Sequence, residues 1–205
     1  QFDEAEAAFN ALNDEQQDAV GVNAYQKLLK AKEQLKASET PSDPADWKTP
    51  YRKTQTYLKS AVPNPTVNSV KGEWAIIGLA RSDASMSTNY YSSYYDKVVA
   101  YVDSHINAAG QLHTIKSTDN SRVALAVTAI GKDPRNVGSH NLLTALNDVD
   151  YVNQQGVNGP IWALLALDSK NYDASGREDL IASILSQQFE DGGWAVTPEG
   201  SAPVT

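Results

Sequence analysis

Only one group of residues in this chain combines types and spacing that suit a binding site. It lies at the starts of three apolar segments: Glu73 before Trp74, Asp119-Asn120-Ser121-Arg122, and Asn158-Gly159 ahead of Trp162. If those segments are helices running in parallel, their first turns meet at one mouth. Free backbone N–H groups and positive dipole ends at such a mouth favour a polar or anionic ligand. Arg122 adds a bidentate donor, and Trp74 and Trp162 add apolar walls. The candidate ligand-binding set is therefore Glu73, Trp74, Asp119, Arg122, Asn158 and Trp162. A competing reading makes the same residues helix caps and inter-helix ion pairs, with Arg122 bound to Glu73 or Asp119.

Other chemistries find little support. The three histidines, His105, His113 and His140, form no i,i+4 pair, no His-x-His and no His-Glu-x-x-His, so no metal site is assigned. His113 follows the Gly110-Gln111-Leu112 turn and is the one histidine placed to face a cavity mouth; a packing or surface role competes. There is no cysteine, which removes thiol nucleophiles, thioesters, disulfides and Cys-ligated zinc. Seventeen Lys and Arg stand against 25 Asp and Glu, a net charge of −8, which argues against nucleic acid and anionic membrane as partners. The longest apolar runs span about seven residues where a membrane span needs ~20, and the acidic start Gln1-Phe2-Asp3-Glu4 does not read as a signal segment. No catalytic residue and no cofactor are assigned.

The elements that must hold the candidate site are helical. Beyond a Ser/Thr/Pro-rich linker over 38–50, with the domain boundary near 40–45, amphipathic stretches at Tyr51–Val62, Tyr90–Ile106, His140–Val152 and Arg177–Gln188 have one apolar stripe each. Between them lie three short segments, Trp74–Ala80, Val123–Ile130 and Ile161–Leu167, that are apolar nearly all round. A helix apolar on every face must be covered on every face, so these predict an inner layer under an outer, amphipathic one. Gly131 reads as a helix stop, Pro160 as a first-turn proline, and Ser175 with Glu178 as a capping box. Trp74-Ala75 and Trp162-Ala163 frame two periods of roughly 40–50 residues, the range of helical-hairpin repeats. An irregular all-α domain is the alternative. The cluster Tyr90-Tyr91-x-x-Tyr94-Tyr95 reads as a packing face, with a sugar platform as its alternative. Residues 1–40 form a separate N-terminal helical segment, with Asn13-Asp14 offering a cap and Tyr25, Leu28, Leu29 and Leu35 a stripe.

The segment Gln188-x-x-x-Gly192-x-Trp194 resembles the QW repeat of the terpenoid cyclase and prenyltransferase superfamily. A wider resemblance runs over residues 45–205, carried by Asn64-Pro65-Thr66, Gly72-Glu73-Trp74-Ala75, Thr118-Asp119-Asn120-Ser121-Arg122, Ile130-Gly131-Lys132-Asp133-Pro134 and Gln155-Gly156-Val157-Asn158-Gly159-Pro160-Ile161. These look like squalene-cyclase-like repeat domains of large surface proteins from Gram-positive bacteria. Residues 5–37 look like the small helical surface repeats found near such domains. The resemblance implies an all-α fold: an α/α toroid of helical hairpins over 45–205, preceded by an N-terminal helical hairpin. Such toroids have about six inner–outer pairs, and this chain supplies about half. The uncovered flank would then be closed by self-association or by the missing C-terminal half.

The resemblance also implies what is lacking. Neither Asp-x-Asp-Asp nor Asp-Asp-x-x-Asp occurs; Asp148-x-Asp150 lacks the third carboxylate and reads as a solvated helix end. The zinc site of protein prenyltransferases cannot be built without cysteine. The expectation is a non-catalytic binding or adhesion module of a secreted, extracellular cell-surface protein, with an unknown surface ligand. The alternatives are a glycan-active hydrolase or lyase, a cyclase with an unrecognised acid, and a small-molecule carrier of the corrinoid-binding type.

Overall fold

The computed structural model describes residues 7–13, 16–17, 29–30, 46–69 and 71–196. The chain divides into two compact units between Lys53 and Thr54. Residues 38–45 of the expected linker, and the apolar stripe of 23–37 apart from Leu29, lie outside the described residues; the end of the expected linker is helical instead, since Lys48–Pro50 open the first long helix. In the first unit, residues 7–10 are helical. Asn13 then caps the next turn: its Oδ1 accepts from the Gln16 amide at 2.9 Å, and Gln16 Oε1 accepts from the Asn13 amide at 3.0 Å.

The described helices of at least eight residues begin with α1 (Lys48–Ala61), which crosses the division, then α2 (Glu73–Ala80), α3 (Thr88–His105) and α4 (Ser117–Ala129). A 3-10 turn (Thr144–Asn147), α5 (Val149–Asn153), α6 (Asn158–Asp168) and α7 (Arg177–Ser186) follow. Every regular element among the described residues is helical; the one extended pairing is an isolated bridge between Val137 and His140. The protein is all-α.

The apolar segments become α2, α4 and α6, and α4 packs against both of the others. Helices α4 and α6 run the same way, and α2 starts beside the start of α4. At one end Arg122 of α4 meets Glu73 of α2, and the Thr118 amide donates to Gln155 Oε1 just before α6 at 2.9 Å. At the other end Thr128, late in α4, shares a 2.9 Å hydrogen bond with Tyr172, just past α6. Val123, Ala124, Ala126 and Val127 of α4 are buried, as are Ile76 and Leu79 of α2 and Ala163, Ala166 and Leu167 of α6. Removing each large aliphatic chain from water contributes about 2 kcal/mol, which is why these short helices hold in spite of modest length. Tyr94, Val98 and Val102 place the i,i+4 stripe of α3 on the same core. Tyr90, Tyr91 and Tyr95 are partly buried against it, so the tyrosine cluster is a packing face.

Three local expectations change. The stretch His140–Val152 is not one amphipathic helix. It breaks at Asp148, whose extended backbone lets its Oδ1 accept from the Tyr151 amide at 3.0 Å and start α5 afresh. Its apolar residues Leu142, Leu143 and Leu146 are buried all the same, so the burial pattern survives the loss of helix. The Ser175–Glu178 capping box is not formed, because α7 begins after Gly176 with no side-chain cap. Arg177 instead grips Asp168 with two 2.9 Å bonds, tying α7 to the end of α6. Finally α4 begins at Ser117, a turn and a half ahead of its apolar run, so Ser117, Asp119, Asn120 and Ser121 are all buried polar residues. Gly131 behaves as expected: it sits at φ +78 just past α4, where a side chain is disfavoured.

Candidate functional site

The starts of α2 and α4 converge on a polar cluster. Glu73 is fully buried at the first position of α2. Its Oε1 accepts from the Asn68 amide at 2.7 Å and from the Tyr94 hydroxyl at 3.2 Å. Its Oε2 accepts from the Ser69 amide at 3.4 Å and from Arg122 Nε at 3.2 Å. Arg122 uses Nη2 on Asp119 Oδ1 at 3.0 Å and also on the side-chain oxygen of Asn68. Asn68 closes the ring, donating from Nδ2 to Tyr101 Oη at 2.8 Å and to Asp119 Oδ2 at 3.3 Å.

Local geometry explains how the chain reaches this arrangement. Asn68 takes a left-handed backbone, φ +52, which turns its amide and that of Ser69 onto the same carboxylate. Gly72 allows the turn to close: a Cβ there would lie 1.9 Å from the Thr66 carbonyl oxygen. Lys97 of α3 holds the preceding loop through a 2.9 Å bond to the Pro65 carbonyl. Burial, reinforced by the Glu73 carboxylate, raises the Tyr94 phenol well above its ordinary range. Tyr101 is raised as well, chiefly by burial, with the Asn68 hydrogen bond opposing.

Two paired charges in a low-dielectric setting are stable only when their remaining donors and acceptors are met. Here they are: no buried side-chain nitrogen or oxygen among the described residues lacks a partner. Asn120, on the next position of α4, does related work. Its Oδ1 accepts from the Leu112 amide at 2.8 Å, and its Nδ2 donates to the carbonyls of Gly110 at 2.7 Å and Leu142 at 3.0 Å. It ties two loops to the helix start.

Of the six candidate residues, Glu73, Asp119 and Arg122 belong to this cluster, and Trp74 and Trp162 lie edge to face with centroids 5.1 Å apart and planes at 62°. Trp74 is 45% exposed. Asn158 does not join them. It lines a separate 720 Å³ hollow with Gln155, Ser183 and Gln187, in which no charged side chain takes part. Sequence reasoning missed Asn68, Tyr94 and Tyr101. Asn68 had one signal, an asparagine in a proline-bearing loop, the type that tolerates left-handed backbone; the tyrosines read as packing and also carry hydroxyl partners.

The remaining candidates are accounted for locally. His113 Nδ1 accepts from the Ile115 amide at 3.1 Å and closes its own turn. His140 pairs with Asp103 at 3.2 Å on the surface, and His105 stacks on Tyr101 at 4.0 Å. No group of three or more acidic or histidine side chains that could hold a metal occurs among the described residues. In the Gln188–Trp194 segment, Gln188 donates to the Gly192 carbonyl at 2.9 Å and Trp194 Nε1 to the Ile184 carbonyl at 2.8 Å, closing the turn on the end of α7. Burial, with Asp119 and Asp148 nearby, pushes the Tyr151 phenol up to about 12 while its hydroxyl donates to the His113 carbonyl at 2.6 Å.

No helix among the described residues is long and apolar enough to cross a membrane. Compared with known proteins, the chain matches no family model, no curated protein and no solved structure.

Proposed function

We propose that this chain is a non-catalytic binding module, displayed as part of an extracellular surface protein, built on part of an α/α toroid of the terpenoid-cyclase type. The observation that carries the reading is the contrast between the carboxylates and the tryptophans at the helix starts. Glu73 and Asp119 are committed to Arg122, Asn68 and backbone amides, which leaves neither poised to give or take a proton from a substrate. The Trp74–Trp162 pair beside them keeps open aromatic surface, the kind that stacks on apolar faces of a ligand. The parallel run of α4 and α6, with α2 starting beside α4, supports the toroid reading, which also expects the open flank of α6 to be covered by another copy or by further inner helices.

Glycan binding and glycan cleavage are separated by one experiment. A mixture of soluble oligosaccharides is titrated into the chain while tryptophan fluorescence is followed, and the recovered glycans are sized by mass spectrometry. Saturable quenching with glycans recovered intact is expected, and Trp74→Ala with Trp162→Ala should weaken it at least tenfold. Shortened glycans would establish the enzyme reading instead. A titration with no response in the native chain would remove this face as a glycan-binding site.

A further inference from the structure

The hollow beside Asn158 has a fixed hydrogen-bonding surface and no charge. It measures 720 Å³ and is walled by the end of α5, the start of α6, the end of α7 and Val196. Volumes of ~300–1,000 Å³ are usual for small-ligand sites. The Val196 wall is anchored two residues earlier, where the Trp194 indole donates to the Ile184 carbonyl at 2.8 Å.

The carboxamides here are held by the protein at one end and unused at the other. Gln155 Oε1 accepts from the Thr118 amide at 2.9 Å and from the Ser117 hydroxyl at 3.3 Å. A backbone N–H needs an acceptor, so the Gln155 oxygen is assigned and its Nε2 is left as a donor. Asn153 Oδ1 accepts from the Ser183 hydroxyl at 2.6 Å, which leaves its Nδ2 as a second donor. Gln187 is set the other way: its Nε2 donates to the Ser183 carbonyl at 3.0 Å, and its Oε1 is left as an acceptor. Asn158 has no side-chain partner at either end among the described residues. No buried side-chain nitrogen or oxygen among those residues lacks a partner, so the unused ends reach solvent.

A ligand for this surface must both give and take hydrogen bonds at close spacing, which hydroxyl groups do. A charged ligand finds no counter-charge in the lining, and the net charge of −8 further opposes an anion. A hydrocarbon would strip water from the carboxamides and replace none of its hydrogen bonds. The aromatic pair lies close by along α6. Asn158 precedes Trp162 by one turn, which puts the two on one face of that helix, and Trp162 meets Trp74 edge to face. An indole covers the C–H face of a sugar ring, and amides take its hydroxyls.

We propose that the hollow is a subsite for the hydroxyls of a neutral oligosaccharide whose adjoining ring lies on Trp74 and Trp162. The inference rests on the reading of the tryptophan pair as a glycan platform. It adds the class of sugar, uncharged, and the side chains that select it, chiefly Gln155 and Asn158.

The test splits the soluble oligosaccharide mixture by anion exchange into a neutral and an acidic pool. Each is titrated into the full chain while tryptophan fluorescence and the side-chain amide resonances are followed by nitrogen–proton NMR. Gln155→Glu and Asn158→Ala assign the two resonances by their disappearance. The neutral pool should shift both saturably and quench the tryptophans, and the acidic pool should do neither. Gln155→Glu keeps the oxygen that Thr118 and Ser117 need and removes only the donor. Its thermal midpoint should stay at the native value while affinity for the neutral pool falls about tenfold. Asn158→Ala should weaken binding in the same direction. Amide resonances that stay in place at saturation overturn the proposal, as do two variants that bind the neutral pool like the native chain. Preference for the acidic pool overturns it too. Quenching with unmoved amides removes the hollow and leaves the tryptophan platform. Shifted amides with Trp74→Ala and Trp162→Ala binding undiminished remove the platform and leave the hollow, so the two readings fail separately.

Discussion

The start of α2 and the flank of α6 are built from similar helices and end in opposite states. At the first, a carboxylate with no exposed surface is surrounded by Asn68, Ser69, Tyr94 and Arg122, and every polar atom is met. At the second, Ile161 and Leu165 stay partly in water although they belong to a segment apolar on nearly every side. Polar burial is tolerated only when complete, because one unmet group costs its full desolvation. Apolar exposure costs less per residue and in proportion to area, so a fold can leave it for a partner. The first region therefore behaves as a rivet, and the second keeps apolar surface in water.

That contrast can be broken. Glu73→Ala should have the largest effect, costing about 3–5 kcal/mol, because Arg122 and two backbone amides lose their acceptor in a buried setting. Urea unfolding would measure it, and a loss below about 1 kcal/mol would show the cluster to be surface decoration. Gly159→Ala comes next. A Cβ there would lie 1.8 Å from the Val152 carbonyl, so α5 and α6 must part, at about 2–3 kcal/mol. The thermal midpoint reports that change.

Alkaline titration sharpens the same point. The phenols of Tyr94 and Tyr151 are raised in the folded protein, so their neutral forms are favoured there over the unfolded chain. Their contribution is fully present below the ordinary tyrosine value near 10 and is lost as pH climbs towards 12 and beyond. Stability followed by circular dichroism should fall across that window. Tyr94→Phe should cost about 1 kcal/mol at neutral pH and flatten the alkaline fall. The smallest effect belongs to the other region: Leu165→Ser should change unfolding free energy by about 0.5 kcal/mol or less. A larger cost would mean that the α6 flank is part of the core after all.

Much of the fold was legible. The inner segments were recognisable because a run such as Ile161-Trp162-Ala163-Leu164-Leu165-Ala166-Leu167 has no wet face to offer, and burial follows whatever the topology. The break at Asp148 was not legible. Leu142, Leu143, Leu146 and Val149 fit a helical stripe, and only the competition between the Asp148 side chain and the backbone decides for a new start. The polar start of α4 was hidden for a related reason. Asp119-Asn120-Ser121-Arg122 read as a helix start, and what buries it comes from remote segments: Asn68 reaches Asp119, and the loops at 110–112 and 142 supply the partners of Asn120. The candidate site was half legible: the expectation of parallel helix starts brings Glu73 and Arg122 to one place, and the competing reading pairs them, while Asn68, which joins them, comes from a loop whose backbone sign no periodicity reveals.

The sequence by itself determined that this protein is helical, that three short segments lie inside, and that no thiol or Cys-ligated zinc chemistry is open to it. Composition and periodicity act locally, so they survive in one dimension. Only the tertiary structure decided that the ionisable groups at the helix starts satisfy one another, that Asn158 stands apart, and that the open surface is apolar. Those outcomes depend on distances between segments remote in the chain, where a shift of a few ångströms turns an ion pair into two solvated charges.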